Sequence, residues 1–154
     1  MSSRKPLVLN NGQIEQLQFG DTLDAFGIQL DLVLAGNANT GSIVKGQPVY
    51  VASGGSINLA NAATAGKQRV FGLVYDTSIL SGASGSIITD GELEQSDWTA
   101  VIGSTFLVPQ SVYYLDTIEG RLSNTPPVTG YVVEVGQALS ATSFEITQRQ
   151  PIKL

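Results

Sequence analysis

A chain of 154 residues has the length of one domain, and 42% apolar residues are enough to bury a core. Charged residues are only 14% and the net charge is −5. This balance argues against the clustered Lys and Arg of a nucleic-acid footprint, and Gly, Ser, Thr and Asn give the surface of a protein partly covered by other subunits.

In chain order, Met1 to Pro6 reads as a loose start. The apolar run behind it, Leu7-Val8-Leu9, stops at Asn10-Asn11-Gly12, too short for a secretory core. Gln13 to Phe19 returns as a second strand, and Asp21 to Phe26 makes one helical turn capped by Asp21 or Thr22. A hairpin this small is unstable alone, so residues 1–26 are expected to form an N-terminal arm. It either docks on the main body or reaches over a neighbouring subunit. Residues 27–154 are expected to form the β domain.

Gly27 to Leu34 alternates, with Ile28, Leu30, Leu32 and Leu34 on one face and Gln29 and Asp31 on the other. Ala35 to Thr40 is a loop. Ile43-Val44 leads through the Lys45-Gly46 turn to the strand Gln47-Pro48-Val49-Tyr50-Val51, which turns at Gly54-Gly55 and returns through Ser56 to Leu59. Asn58 to Gly66 is Ala-rich but too short and too rich in Asn for a stable helix, and reads as a connecting loop. Val70 to Tyr75 is a strand and Ser81 to Ser86 a flexible loop. Ile87-Ile88-Thr89 is a strand ending in an Asp90-Gly91 turn, and Thr99 to Ile102 is another short strand. Val112 to Leu115 turns through Asp116 to Gly120 and returns at Arg121-Leu122-Ser123. Pro126-Pro127 breaks the ladder, because proline has no N–H to donate. Tyr131 to Val135 and Ser143 to Ile146 are the last strands, followed by an extended end from Gln148 to Leu154. Turn signals every ~8–12 residues predict an all-β protein, a compact β-sandwich or β-barrel with very little helix.

One cadence occurs twice. Gln47-Pro48-Val49-Tyr50-Val51 matches Gln110-Ser111-Val112-Tyr113-Tyr114, and Val70 to Val74 answers Val132 to Val135. Two loosely duplicated β units, at about 42–90 and 105–147, are the expectation; two copies at this period are too few for a solenoid.

Chemistry-bearing motifs are nearly absent. With no histidine and no cysteine, imidazole catalysis, Ser-His-Asp and Cys-His arrangements, disulfides and ordinary zinc sites are excluded. Gly82-Ala83-Ser84-Gly85 lacks the spacing of a nucleophile elbow. Gly36 to Ser42 has P-loop glycine spacing without its lysine. The acidic run Asp90, Glu92, Glu94, Asp97 supplies alternating oxygen ligands, which makes it a candidate Ca²⁺ site. Its spacing is not that of an EF-hand, and a solvated acidic edge is the commoner arrangement. Those carboxylates, with Asp116 or Glu119, also supply pairs in principle for glycoside hydrolysis. Tyr50, Tyr75, Tyr113, Tyr114, Tyr131 and Trp98 serve either a core or interface, the commoner use, or a sugar platform. No cofactor, no nucleic acid, no membrane and no enzymatic activity are expected.

Two stretches carry a family likeness. Pro6 to Leu17, followed by Gly20-Asp21-Thr22-Leu23-Asp24-Ala25, resembles an N-terminal segment of virion structural proteins of tailed bacteriophages. Tyr113-Tyr114-Leu115-Asp116, Gly120-Arg121-Leu122, Thr125-Pro126-Pro127, Val135 to Ser140 and Phe144-Glu145-Ile146 are similar to modules of phage head-decoration (cement) proteins, head fibres and tail fibres. The resemblance covers about half the chain and brings no catalytic residues. It implies a capsid decoration protein on the virion surface, made in the host cytoplasm and bound as a homotrimer to the major capsid protein. Leu7, Val8, Leu9, Ile14 and Leu17 are then the candidate contacts to capsid or sibling subunits. A tail-fibre or head-fibre attachment module and a carbohydrate-binding module are the alternatives.

Overall fold

The computed structural model describes residues 7–10, 13–16 and 31–154. The chain separates into two compact units, Met1–Leu30 and Asp31–Leu154. In the first, β1 (Leu7–Asn10) and β2 (Gln13–Gln16) form an antiparallel pair with Leu9 opposite Ile14. The protein is mostly β, 41% strand and 6% helix, and the second unit is a curled antiparallel half-barrel.

The half-barrel contains β3 (Asp31–Gly36), β4 (Ile43–Val44), β5 (Pro48–Val51), β6 (Ile57–Leu59), β7 (Gly72–Val74), β8 (Ser78–Ile79) and β9 (Ser84–Glu94). A short helix α1 (Thr99–Ile102) follows, then β10 (Val112–Leu115), β11 (Leu122–Ser123), β12 (Tyr131–Val132), β13 (Glu134–Ala138), β14 (Ser143–Ile146) and β15 (Ile152–Lys153). The main sheet runs β11-β10-β13-β14-β9-β7-β5-β6, with β3 also paired to β9; β4 pairs with β8 and β12 with β15.

Both halves of this sheet follow one hydrogen-bond plan. In each, a hairpin's first strand lies between its second strand and a third, and the third pairs with a fourth: β6-β5-β7-β9 and β11-β10-β13-β14. Gly46 N–H donates to Val74 C=O at 2.9 Å as Gln110 N–H does to Ala138 C=O at 2.8 Å. Val74 N–H returns to Gln47 C=O, and Ala138 N–H to Ser111 C=O; Tyr75 N–H meets Ser86 C=O, and Leu139 N–H meets Ser143 C=O. The hydrogen bonds therefore align Gln47 with Ser111, one position along from the alignment that the sequence cadence suggests.

Corresponding positions do corresponding work with different residues. Ile43, Val49, Val74 and Ile87 are buried in the first half, and Leu107, Tyr113, Ala138 and Phe144 stand at the matching places, also buried. Where the Gln47 side-chain carbonyl accepts Val44 N–H (2.9 Å), the Tyr113 hydroxyl accepts Val108 N–H (3.0 Å). Gly72 and Gly136 also match: a Cβ on either would run into the facing strand's carbonyl oxygen, that of Ile88 or Glu145.

Each half buries its own face. The first packs Ile43, Val49, Ile57, Val74, Ile79 and Ile87 together. The second is aromatic: Phe144 lies between Trp98 (centroids 5.8 Å) and Tyr113 (6.0 Å, edge to face). The eleven-residue strand β9 serves both. Its first part pairs with β3 and β7, and Gly91 to Glu94 pair with β14.

Local readings change at five places. Asp90-Gly91 is not a turn, because Ile87 and Leu93 are both buried in cores and hold the strand continuous. The slack is taken up by a register shift, Asp31 facing Asp90 but Leu32 facing Ile88, with Gly91 at φ 105°. Thr99 to Ile102 is helix, not strand. The Asp97 carboxylate accepts both Thr99 N–H (2.9 Å) and Thr99 Oγ1–H (2.6 Å), and Gly103 closes the turn at φ 77°. Ser84 to Ser86 is strand rather than loop, and the ladder breaks at Val133 between β12 and β13. The C-terminal end pairs as β15, with Ile152 opposite Val132.

Candidate functional site

The strand register builds the acidic edge. Asp31 faces Asp90 and Glu92 faces Glu145 directly across neighbouring strands. Like charges at cross-strand positions destabilise pairing unless water keeps them apart. These five carboxylates' neighbourhood is wet: Asp31, Asp90, Glu92, Glu94 and Glu145 are all exposed, while Leu93 between the glutamates is buried. Asp97 does not join them. Its hydrogen bonds from the Thr99 hydroxyl and amide hold its carboxyl below the usual carboxylate range and commit it to starting α1. Among the described residues no three His, Cys, Asp or Glu come together in a group able to hold a metal ion, so the structure does not assemble Asp90, Glu92, Glu94 and Asp97 into a coordination shell.

The aromatic candidates go to structural uses where the geometry is clearest. Trp98 is fully buried, with its indole N–H donating to Thr142 C=O at 3.1 Å. Tyr113 is buried beside Phe144. Tyr75 has the Lys45 ammonium 5.5 Å above its ring, a cation–π contact on a face that a sugar would need. Tyr50, Tyr114 and Tyr131 are half-buried on β5, β10 and β12.

The glycine-rich loop from Gly36 closes on itself. Buried Asn37 donates to Gly41 C=O (3.1 Å) and Ile79 C=O (2.9 Å), and its side-chain oxygen accepts Asn39 N–H (2.8 Å). Ser84 lies in β9 opposite Gly36, an ordinary strand position. Glu119 takes the Lys67 ammonium at 2.6 Å and Asn61 at 3.3 Å, tying two loops together and raising the Lys67 pKa. This pair is exposed to solvent, where ion pairs contribute little.

An open cleft of about 390 Å³ lies between the two halves, lined by Val44, Lys45 and Thr77 on one side and Gln95, Ser96, Asp97 and Ala100 on the other. The buried Gln95 Nε2 lacks a hydrogen-bond partner, and it lies where a Cβ on Gly46 would meet it. That nitrogen is covered by protein.

Of the candidate arm contacts, Leu7, Val8 and Leu9 fall on β1 and Ile14 on β2. Their side chains, and Leu17 altogether, lie outside the described residues. The sequence reading missed one surface feature. Phe106 (59% exposed), Val108 (50%) and Leu139 (47%) stand out while Leu107 between the first two is buried. Phe106-Leu107-Val108 is an unbroken apolar run, and the sequence carried no signal that its outer two residues face solvent. No helix among the described residues is long and apolar enough to cross a membrane. No family model matches the chain, and no curated protein matches it.

Proposed function

We propose that this chain is a structural virion protein of a tailed phage, a non-enzymatic decoration protein that binds the assembled major capsid protein lattice as a homotrimer and stabilises the head. The observation that carries the reading is the resemblance of Val135 to Ser140 and Phe144-Glu145-Ile146 to phage head and fibre modules. In the fold these residues form the β13–β14 pair, at whose centre Phe144 sits between Trp98 and Tyr113. The use of Trp98, Tyr113, Asn37 and Asp97 in folding agrees with a binding rather than a catalytic role. The mechanism is mass action. A protein that binds only the assembled lattice stabilises it in proportion to occupancy.

The test is co-sedimentation of the full chain with assembled shells and with unassembled capsid subunits. Binding to shells alone is the expected result. The double variant Leu7→Ser/Leu9→Ser should stay folded and lose most shell binding. If it unfolds instead, the hairpin is part of the core rather than an arm. If the wild-type chain ignores shells, the decoration reading falls.

A further inference from the structure

We propose that the Asp90-Gly91 peptide is a site of spontaneous covalent modification, at which the Gly91 nitrogen closes on the Asp90 carboxyl carbon to give a succinimide that reopens partly as isoaspartate. Two features set this peptide apart from the other described aspartates. Gly91 has no side chain to crowd its nitrogen, and its N–H donates to Asp90 Oδ1 at 3.0 Å. That contact keeps the carboxyl carbon, one bond beyond the oxygen, beside the nitrogen it has to join, and groups held close in this way react faster than free ones. The carboxylates of Asp76, Asp97 and Asp116 are turned elsewhere, to Ser86 N–H (2.9 Å), Thr99 N–H (2.9 Å) and Ile118 N–H (3.3 Å). The residues that follow them, and that follow Asp31, are Thr77, Trp98, Thr117 and Leu32, all with side chains beside the nitrogen.

A strand ordinarily resists this ring closure, because its ladder bonds hold the backbone still. At Asp90 the ladders end. Asp31–Asp90 is the terminal pair between β3 and β9, Gly91–Ile146 is the terminal pair between β9 and β14, and Thr89 has no strand partner among the described residues. The Asp31–Asp90 pair also sets like charges opposite each other, which weakens it. Opening one pair of each ladder therefore frees the peptide without disturbing Ile87, Ile88 or Leu93, which are fully buried. Asp90 is itself exposed, so water reaches the ring.

The reaction needs only water. The Gly91 nitrogen gives up its proton and bonds to the carbon of the protonated Asp90 carboxyl, whose C–O bond breaks and releases one water. A second water then adds to one of the two imide carbonyls and breaks its C–N bond. Cleavage at the former side-chain carbonyl restores aspartate. Cleavage at the main-chain carbonyl leaves isoaspartate, of unchanged mass, with the chain now running through the Asp90 Cβ. The strand is then one main-chain atom longer at this point. Because β9 carries Ile87 and Ile88 on one side of Asp90 and Leu93 on the other, the extra atom falls between the parts of the strand that serve the two cores.

The test is incubation of the folded full chain in heavy-oxygen water at neutral pH, followed by peptide mapping with electron-based fragmentation, which distinguishes isoaspartate from aspartate residue by residue. Each passage through the succinimide places one solvent oxygen in residue 90. Solvent oxygen and isoaspartate should accumulate at Asp90 about tenfold or more faster than at Asp31, Asp76, Asp97 or Asp116. Asp90→Glu keeps the exposed charge but would need a six-membered ring, and should abolish both signals at this position. The proposal is overturned if Asp90 reacts no faster than the other four, if it reacts only when urea has unfolded the chain, or if the signals survive Asp90→Glu. None of these outcomes depends on whether the chain binds a capsid.

Discussion

Trp98→Ala is expected to destabilise the isolated protein by about 3–5 kcal/mol, a large part of the roughly 5–15 kcal/mol that holds a domain of this size together. Trp98 is fully buried, packs against Phe144 at 5.8 Å and donates its indole N–H to Thr142 C=O. Its removal leaves a cavity beside Phe144 and takes one of two hydrogen bonds from the Thr142 carbonyl, which keeps the one from Gln95 N–H at 3.0 Å. Urea unfolding followed by circular dichroism measures the loss directly. A change below about 1.5 kcal/mol would mean that the second half can collapse around the gap, and that its aromatic core is not what holds β14.

Gly136→Ala should be nearly as damaging, about 1–3 kcal/mol or more, although alanine is ordinarily harmless in a strand. Gly136 has no unusual backbone angle; the obstacle is space. A Cβ there meets the Glu145 carbonyl oxygen and lies 2.6 Å from Phe144 Cε1. Backbone cannot swing aside as a flexible side chain can. Gly72, the matching position, meets Ile88 in the same way, whereas a Cβ on Gly36 has only Ser84 Oγ at 4.0 Å. Gly72→Ala should therefore destabilise like Gly136→Ala, and Gly36→Ala should change stability by no more than about 0.5 kcal/mol. Equal, small effects at all three would contradict the close approach of β13 to β14 and of β7 to β9.

These two sites show what was legible in the sequence. The all-β class was readable, because period-two alternation and frequent turn residues are local signals. The hairpins Pro48–Leu59 and Val112–Ser123 were readable for the same reason. The continuity of β9 was not. Asp90-Gly91 is a strong turn signal locally, and only the burial of Ile87 and Leu93 in two separate cores overrides it. Nor was α1: Thr99-Ala100-Val101-Ile102 has strand propensity, and the helix depends on Asp97 bonding to Thr99 and on Trp98 finding a pocket beside Phe144. The shared plan of the two halves was half legible. Q-x-V-Y gave the cadence one residue out of phase, since Gln47 and Tyr113 supply the same hydrogen bond from different positions.

The decoration reading is tested most directly by the copy number of this chain in purified particles, quantified against the major capsid protein. The account predicts a simple whole-number ratio to the capsid protein, constant between preparations. A handful of copies would place the chain at a vertex or the tail, and its absence from the particle would contradict a structural role in the virion.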